Sequence, residues 1–306
     1  MQPRLVGLQF TVLGLVWGAS FLFMKVALEG LAPGQVAWGR LVLGALTLGV
    51  IVLIRRERLP RFGKVWAHMT VLAISYCIVP YLLFAWAQQH VASGLGAVYN
   101  ATTPIMTVLI AGLAFRVEKL SRAQLAGVLA GILGVMVIIA PWQGLDFSQA
   151  LLAQLALLGA TASYGFSFGY MRRFLADTGV SALTFSFMNI GLGAVLALLL
   201  TPVIAVAPIE LSWPVVLSML ALGCIGTGVA YIWNQNTVRA WGPTRASMVT
   251  YITPVVGVLL GILVLGETLH WNEPVGALVV FLGILLAQGR LALRRRAQAA
   301  VPPAAS

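Results

Sequence analysis

The sequence predicts an all-α polytopic membrane protein: ten transmembrane helices, arranged as two inverted five-helix repeats around a central cavity. Three observations carry that expectation. Of 306 residues, 60% are apolar and 9% charged, with a mean hydropathy of +0.96, whereas a soluble domain carries about 25% charged residues. Apolar runs of about 20 residues, the length that crosses roughly 30 Å of hydrocarbon, recur from end to end. Segments of the first half also reappear in the second, 147 to 150 positions on. The first two observations exclude a secreted domain, a soluble enzyme and a nucleic-acid binder, despite the formal net charge of +11.

Read between charges and turn residues, the spans run approximately 5–27, 34–54, 66–88, 93–115, 122–140, 150–171, 181–203, 213–238, 244–265 and 273–290. Arg4 opens the first run as the basic start of a signal peptide would. That run is much longer than the usual ~7–15 apolar residues and shows no small-x-small cleavage site, so it is expected to persist as a helix. The intervening loops are too short to hold a folded domain. Cys77 and Cys224 both fall inside apolar runs and read as buried, inert thiols rather than a disulfide framework.

Charge placement orients the spans. With the N-terminus in the cytoplasm, inward ends and loops hold Arg4, Arg55, Arg56, Arg58, Arg61, Lys64, Arg116, Lys119, Arg122, Arg172, Arg173, Arg239, Arg245, Arg290, Arg294, Arg295 and Arg296, 17 of the 19 basic residues. Outward ends and loops hold Glu29, Asp146, Glu210, Glu267 and Glu273. Lys25 and Arg40 sit inside the outer ends of spans one and two. This positive-inside bias places both termini in the cytoplasm, with Arg294 to Arg296 as a basic anchor of the tail.

The repeat is explicit. Ala97-Val98-Tyr99-Asn100-Ala101-Thr102-Thr103-Pro104 answers Ser247-Met248-Val249-Thr250-Tyr251-Ile252-Thr253-Pro254. Glu118-x-Leu120, Gly127 and Gly134 answer Glu267-x-Leu269, Gly276 and Gly283. Trp17-Gly18-Ala19-Ser20-Phe21 answers Tyr164-Gly165-Phe166-Ser167-Phe168, and Tyr81 answers Tyr231. The repeats are expected at 1–146 and 147–291, followed by a basic cytoplasmic tail at 292–306. Five spans per half make equivalent helices cross in opposite directions, the plan of secondary transporters that bind substrate near the midplane.

These residues also carry a resemblance. Trp17-Gly18-x-Ser20-Phe21 in span one, Arg40 opening span two, the Thr-Pro pairs of spans four and nine and the Glu-to-Gly spacing after each resemble the EamA family of the drug/metabolite transporter superfamily, over nearly the whole chain. The resemblance implies a ten-helix transporter with helices one to four and six to nine around a cavity and helices five and ten behind. It also implies a bacterial inner membrane and export of amino acids or other small metabolites.

Absences narrow the chemistry. There is no G-x-x-x-x-G-K-[ST] and hence no ATP motor in this chain, no H-E-x-x-H and no Cys/His cluster. An enzyme is not expected, nor a cofactor or metal. His68, His90 and His270 fall near span ends, as interfacial residues do. No Asp or Glu lies mid-span, where proton and sodium carriers are found, which favours facilitated export or exchange; Glu118 and Glu267, near helix ends, keep ion coupling open.

Two readings apply to the remaining charges. Lys25, Arg40 and Glu267 on the outer side, and Arg172 and Glu118 on the inner, form a pair of gates whose ion pairs break alternately. Alternatively they are static bridges and snorkelling side chains. The cavity is sought as polar and aromatic stripes at helical spacing. Thr227, Tyr231 and Asn234 form one in span eight, matched by Cys77, Tyr81 and Phe84 in span three, with Tyr76 adjoining. Substrate-binding candidates are Tyr76, Tyr81, Tyr99, Asn100, Tyr164, Ser167, Asn189, Tyr231, Asn234 and Tyr251. The asparagines matter because an unpaired amide in hydrocarbon is costly; packing between helices is the alternative use of each.

Such an uncharged, aromatic, amide-bearing lining suits a small neutral or zwitterionic solute, with amino acids, aromatic ones included, as the leading expectation. A proton-coupled exporter of other metabolites or hydrophobic cations, or a passive channel, is the alternative. The expected partners are a small-molecule substrate and the lipid bilayer, with no nucleic acid, and the working unit is a monomer or a homodimer. Gly14-x-x-x-Gly18, Gly127-x-x-x-Gly131 and Gly257-x-x-x-Gly261 permit close helix contact, within the chain or between copies.

Overall fold

A backbone N–H or C=O left unpaired in hydrocarbon costs several kcal/mol, so apolar runs of spanning length close their own bonds as helices. The computed structural model describes residues 3–116, 121–143, 149–175, 178–241 and 249–287, and every regular element among them is helical. In chain order these are α1 (Pro3–Ala27), α2 (Pro33–Arg55), α3 (Lys64–Ala87), α4 (Ser93–Leu113) and α5 (Arg122–Ile139). After them come α6 (Gln149–Phe174), α7 (Ala182–Ile204), α8 (Trp213–Thr237), α9 (Val249–Leu265) and α10 (Asn272–Ala287). Eight of them are long and apolar enough to cross a membrane, and two shorter apolar helices lie at Tyr251–Leu265 and Asn272–Ala287. The outer faces carry exposed aliphatic side chains such as Leu133, Leu199 and Leu263. Trp66, Trp142, Trp213 and Trp271 stand near helix ends, where an interfacial aromatic belt belongs.

Helix ends follow local chemistry. Ser121 and Ser181 cap α5 and α7, each accepting a bond from the third residue on, and Gln124 closes a capping box on Ser121. Gly266 has φ +65°, the left-handed conformation glycine adopts without a Cβ penalty. That turn ends α9 with Glu267 N–H on the Gly261 carbonyl at 3.0 Å, and it aims the Glu267 side chain back into the bundle.

Two helices are locally π-helical, at Ala73–Ile78 in α3 and Ala221–Val229 in α8. There Val79 N–H reaches the Ile74 carbonyl and Ala230 N–H the Ile225 carbonyl. Such wide turns are rare and concentrate at functional sites. Pro80 lies two residues past the first and has no N–H, so in this register the Ser75 carbonyl loses its donor; Ser163 Oγ of α6 supplies one at 2.6 Å. In α4 the helix breaks at Ala101–Thr102 before Pro104, and Thr103 Oγ1 donates to the Asn100 carbonyl that Pro104 cannot serve, at 2.7 Å. Neighbouring hydroxyls thus take both carbonyls that the prolines leave without a donor.

The glycine stripes are used within the chain. A Cβ on Gly14 or Gly18 would strike Ile252 and Val256 of α9, and one on Gly257 would strike Ala97 of α4. Gly127, Gly131 and Gly134 of α5 lie backbone to backbone against Gly276, Gly283 and Ala287 of α10. α2 packs on α7, α2 also on α8, α3 on α7, α1 on α9 and α4 on α6. Near the centre of this arrangement, buried side chains of α2, α3, α7 and α8 form one cluster, including Leu41, Tyr76, Cys77, Tyr81, Ile190 and Tyr231.

Candidate functional site

Tyr81 and Tyr231, 150 positions apart, meet hydroxyl to hydroxyl at 2.8 Å in that cluster. The expected stripe of α8 supplies Thr227 one turn before Tyr231, and Thr227 Oγ1 accepts the Arg40 Nε–H at 2.7 Å. The Arg40 Cζ lies 3.9 Å from the centroid of the Tyr81 ring. Arg40 is thus buried among the central tyrosines of α3 and α8, deeper than the outer helix end where its position in the sequence suggests a gate. On the opposite side Cys77 Sγ donates to Asn189 Oδ1 at 3.6 Å, and Asn189 Nδ2 has no partner. Arg40 and Asn189 stand 149 positions apart, Thr227 and Cys77 150. The two polar pairs therefore occupy equivalent places in the two halves, one with a cation and one with a neutral amide.

The π-helical turn of α3 lets consecutive residues both face inward: Tyr76 and Cys77 are buried together. Tyr76 packs edge-on against Tyr164 at 5.4 Å and Tyr231 at 6.0 Å. Trp17 contacts Tyr231 at 6.2 Å and donates through Nε1 to the Gly226 carbonyl in the π-helical turn of α8, at 3.1 Å. Ser167 Oγ donates to the Ser163 carbonyl and contacts Ser75 Oγ at 2.8 Å. Tyr76, Tyr81, Tyr164, Tyr231, Ser167 and Asn189 are thus gathered around one centre, with Arg40 and Trp17.

Other candidates lie elsewhere. Tyr99 is fully buried and donates to Gln154 Oε1 at 2.7 Å, and Tyr251 packs edge-on against Phe281 of α10 at 5.0 Å. Asn100 and Asn234 are half-buried on α4 and α8. Ser247 and Glu118 lie outside the described residues, and Arg172 stands in the last turn of α6. His68 Nδ1 pairs with Tyr170 Oη at 2.7 Å near the helix end, and both cysteines are free. Among the described residues no group of His, Cys, Asp and Glu is placed to hold a metal.

Lys25 and Glu267 converge on one turn. Lys25 Nζ donates to the carbonyls of Gln88 and Val91 after α3, a cation at a helix C-terminus. Glu267 accepts from Ser93 N at 2.6 Å, Ser93 Oγ at 3.0 Å and Gly94 N at 3.1 Å at the start of α4, an anion at a helix N-terminus. Both ends of the α3–α4 turn are pinned by backbone bonds. Bonds to a charged acceptor contribute about 1.5–3 kcal/mol each and an amide oxygen accepts more weakly. Glu267→Gln is therefore expected to lower the melting temperature of detergent-purified protein by several degrees. An unchanged melting curve would show that this cap carries no stability.

Sequence reasoning missed Ser75, Ser163 and Gln154, which only neighbouring helices give a role, and Gln88, fully buried with both amide atoms unpartnered. The depth of Arg40 is the larger omission. Its spacing to Asn189 matches the repeat offset and was the available signal.

Comparison with known proteins agrees with this geometry. A solved crystal structure superposes with a TM-score of 0.65 over 92% of this chain and 97% of its own, at 18% identity, which shows a shared fold. A Bacillus subtilis protein named as an uncharacterized transporter, YoaV, is 26% identical over 89% of this chain and 92% of its own. YedA of Escherichia coli, named as an uncharacterized inner membrane transporter, is 25% identical over 90% and 88%. A Salmonella typhimurium protein named as a probable amino-acid metabolite efflux pump is 24% identical over 92% and 94%. The model of the EamA-like transporter family matches residues 6–140 and again 151–288. With both halves matched, the chain belongs to the EamA-like transporter family.

Proposed function

We propose that this protein is a secondary transporter of the bacterial inner membrane, exporting small neutral or zwitterionic metabolites, amino acids and aromatic ones among them. The two halves would form inverted five-helix repeats that rock around the Tyr81–Tyr231 centre in alternating access, with both termini in the cytoplasm. The observation that carries the reading is the 2.8 Å bond between two tyrosines 150 positions apart, one from each half, at a buried aromatic and polar centre. Helix pairing supports it: α1 on α9 is answered by α6 on α4, and α2 on α8 by α7 on α3, as a pseudo-two-fold axis requires. The name of the Salmonella relative supports amino acids as substrates, and that of YedA the inner membrane.

The test is counterflow of radiolabelled phenylalanine in proteoliposomes, with and without a pH gradient. Saturable exchange without a gradient is the expected result. Flux linear in concentration would make the protein a channel, exchange that demands a gradient would make it a coupled exporter, and no flux for any amino acid would remove that substrate class.

A further inference from the structure

A guanidinium offers five N–H donors in a planar fork and is always charged. Arg40 is 9% exposed and is the one charged side chain among the buried residues described. Its Nε is used by Thr227, whose hydroxyl donates onward to the Leu222 carbonyl at 3.1 Å, and its flat face rests on Tyr81. Hydrogen bonding to Thr227 and stacking on Tyr81 fix the plane of the group. Neither engages the two Nη groups, and the described hydrogen bonds of Arg40 end there.

No described carboxylate neutralises it. Glu29 and Glu210 are exposed on loops. Glu57 accepts from Ser181 and Thr184, Glu267 from Ser93 and Gly94, and Glu273 from the His270 amide. A cation set within the bundle, with donors that no described protein group engages, marks a ligand or ion path in a membrane protein. The geometric complement of two parallel N–H groups is a carboxylate, which accepts both. The equivalent position in the other half is Asn189, a neutral amide, so the centre is polarised although its framework is repeated.

We infer that Arg40 is the recognition residue for the carboxylate of the transported solute. This rests on the transport reading above and names the chemical class it takes: solutes bearing a carboxylate, with or without an amine. A solute that presents an amide instead offers one neutral acceptor oxygen in place of two charged ones and binds about tenfold more weakly or worse.

The experiment uses the full chain in proteoliposomes. Counterflow of radiolabelled phenylalanine and of hydrocinnamate is measured, with phenylalaninamide as competitor, and binding of each is followed by thermal shift. In the wild type both carboxylates are expected to exchange or bind, with the amide competing at least about tenfold less well. Arg40→Gln is expected to abolish that preference, and Arg40→Lys to keep a reduced one. Where Arg40→Gln does not fold, Thr227→Val, which frees Nε and loosens the fork, is expected to reduce the preference for the carboxylates over the amide. An amide that competes as well as the acid in the wild type overturns the assignment while transport stands, and so does a preference intact in Arg40→Gln or Thr227→Val. Exchange of hydrocinnamate without phenylalanine removes the amino-acid reading and leaves Arg40 in place. Neither flux nor binding for either carboxylate overturns the assignment of Arg40.

Discussion

Proteoliposomes carrying Tyr81→Ala are expected to exchange aromatic amino acid at about a tenth of the wild-type rate or less. Tyr81 is 2% exposed, with its hydroxyl on Tyr231 at 2.8 Å and its ring beneath Arg40 at 3.9 Å. Truncation removes the 2.8 Å partner of the buried Tyr231 hydroxyl, at a cost of about 1–3 kcal/mol. It also removes a cation–π contact worth about 2 kcal/mol when desolvated. Because 1.4 kcal/mol is about tenfold in an equilibrium constant, either loss is enough to misplace the site. Tyr81→Phe keeps the ring under Arg40 and loses only the hydroxyl, so a smaller fall is expected. The pair Tyr81→Phe with Tyr231→Phe is expected to cost less than the two single changes summed, since both remove the same bond. Wild-type exchange by the alanine variant would remove this cluster from the transport path.

Valine at Gly134, or leucine at Gly283, is expected to destabilise the protein without touching that centre. A Cβ on Gly134 would lie 2.6 Å from Val280 N and 2.8 Å from the Gly276 carbonyl; one on Gly283 would lie 2.8 Å from both the Gly127 carbonyl and Gly131 N. These are backbone atoms, which cannot turn aside as a side-chain end does. The helices must separate, and overpacking costs about 1–3 kcal/mol per site. Lipid tails are as apolar as the side chains they would replace, so close van der Waals fit is what binds α5 to α10. The melting temperature in detergent is expected to fall by several degrees for each variant and further for the two together. Unchanged melting would show that the α5–α10 contact is dispensable.

Much of this was legible in the chain. The apolar runs end within a few residues of the observed helices, as 34–54 does against Pro33–Arg55 and 213–238 against Trp213–Thr237. The equivalence of Tyr81 and Tyr231 was visible as a repeat offset before it became a hydrogen bond. Regular helical spacing did not reveal the π-helical turns at Ala73–Ile78 and Ala221–Val229. A wide turn is chosen by what the neighbouring helix supplies, and Ser163 and Trp17, which bond carbonyls of those turns, stand far off in the chain.

Composition, run length, charge placement and internal repetition are properties of the chain in one dimension. They suffice for the membrane class and for the helices, because the bilayer imposes its thickness and its demand for paired backbone on every span alike. Depth and facing arise from packing. Arg40 lies a few residues inside α2 by count, yet its long side chain reaches Thr227 and Tyr81 because α2 packs on α8. Tyr99 and Tyr251 also fall within apolar spans, as the central tyrosines do, but Gln154 and Phe281 hold them elsewhere. Which aromatic rings meet, and where a buried charge comes to rest, depends on how helices distant in sequence fit together, since these contacts join residues that no local periodicity relates.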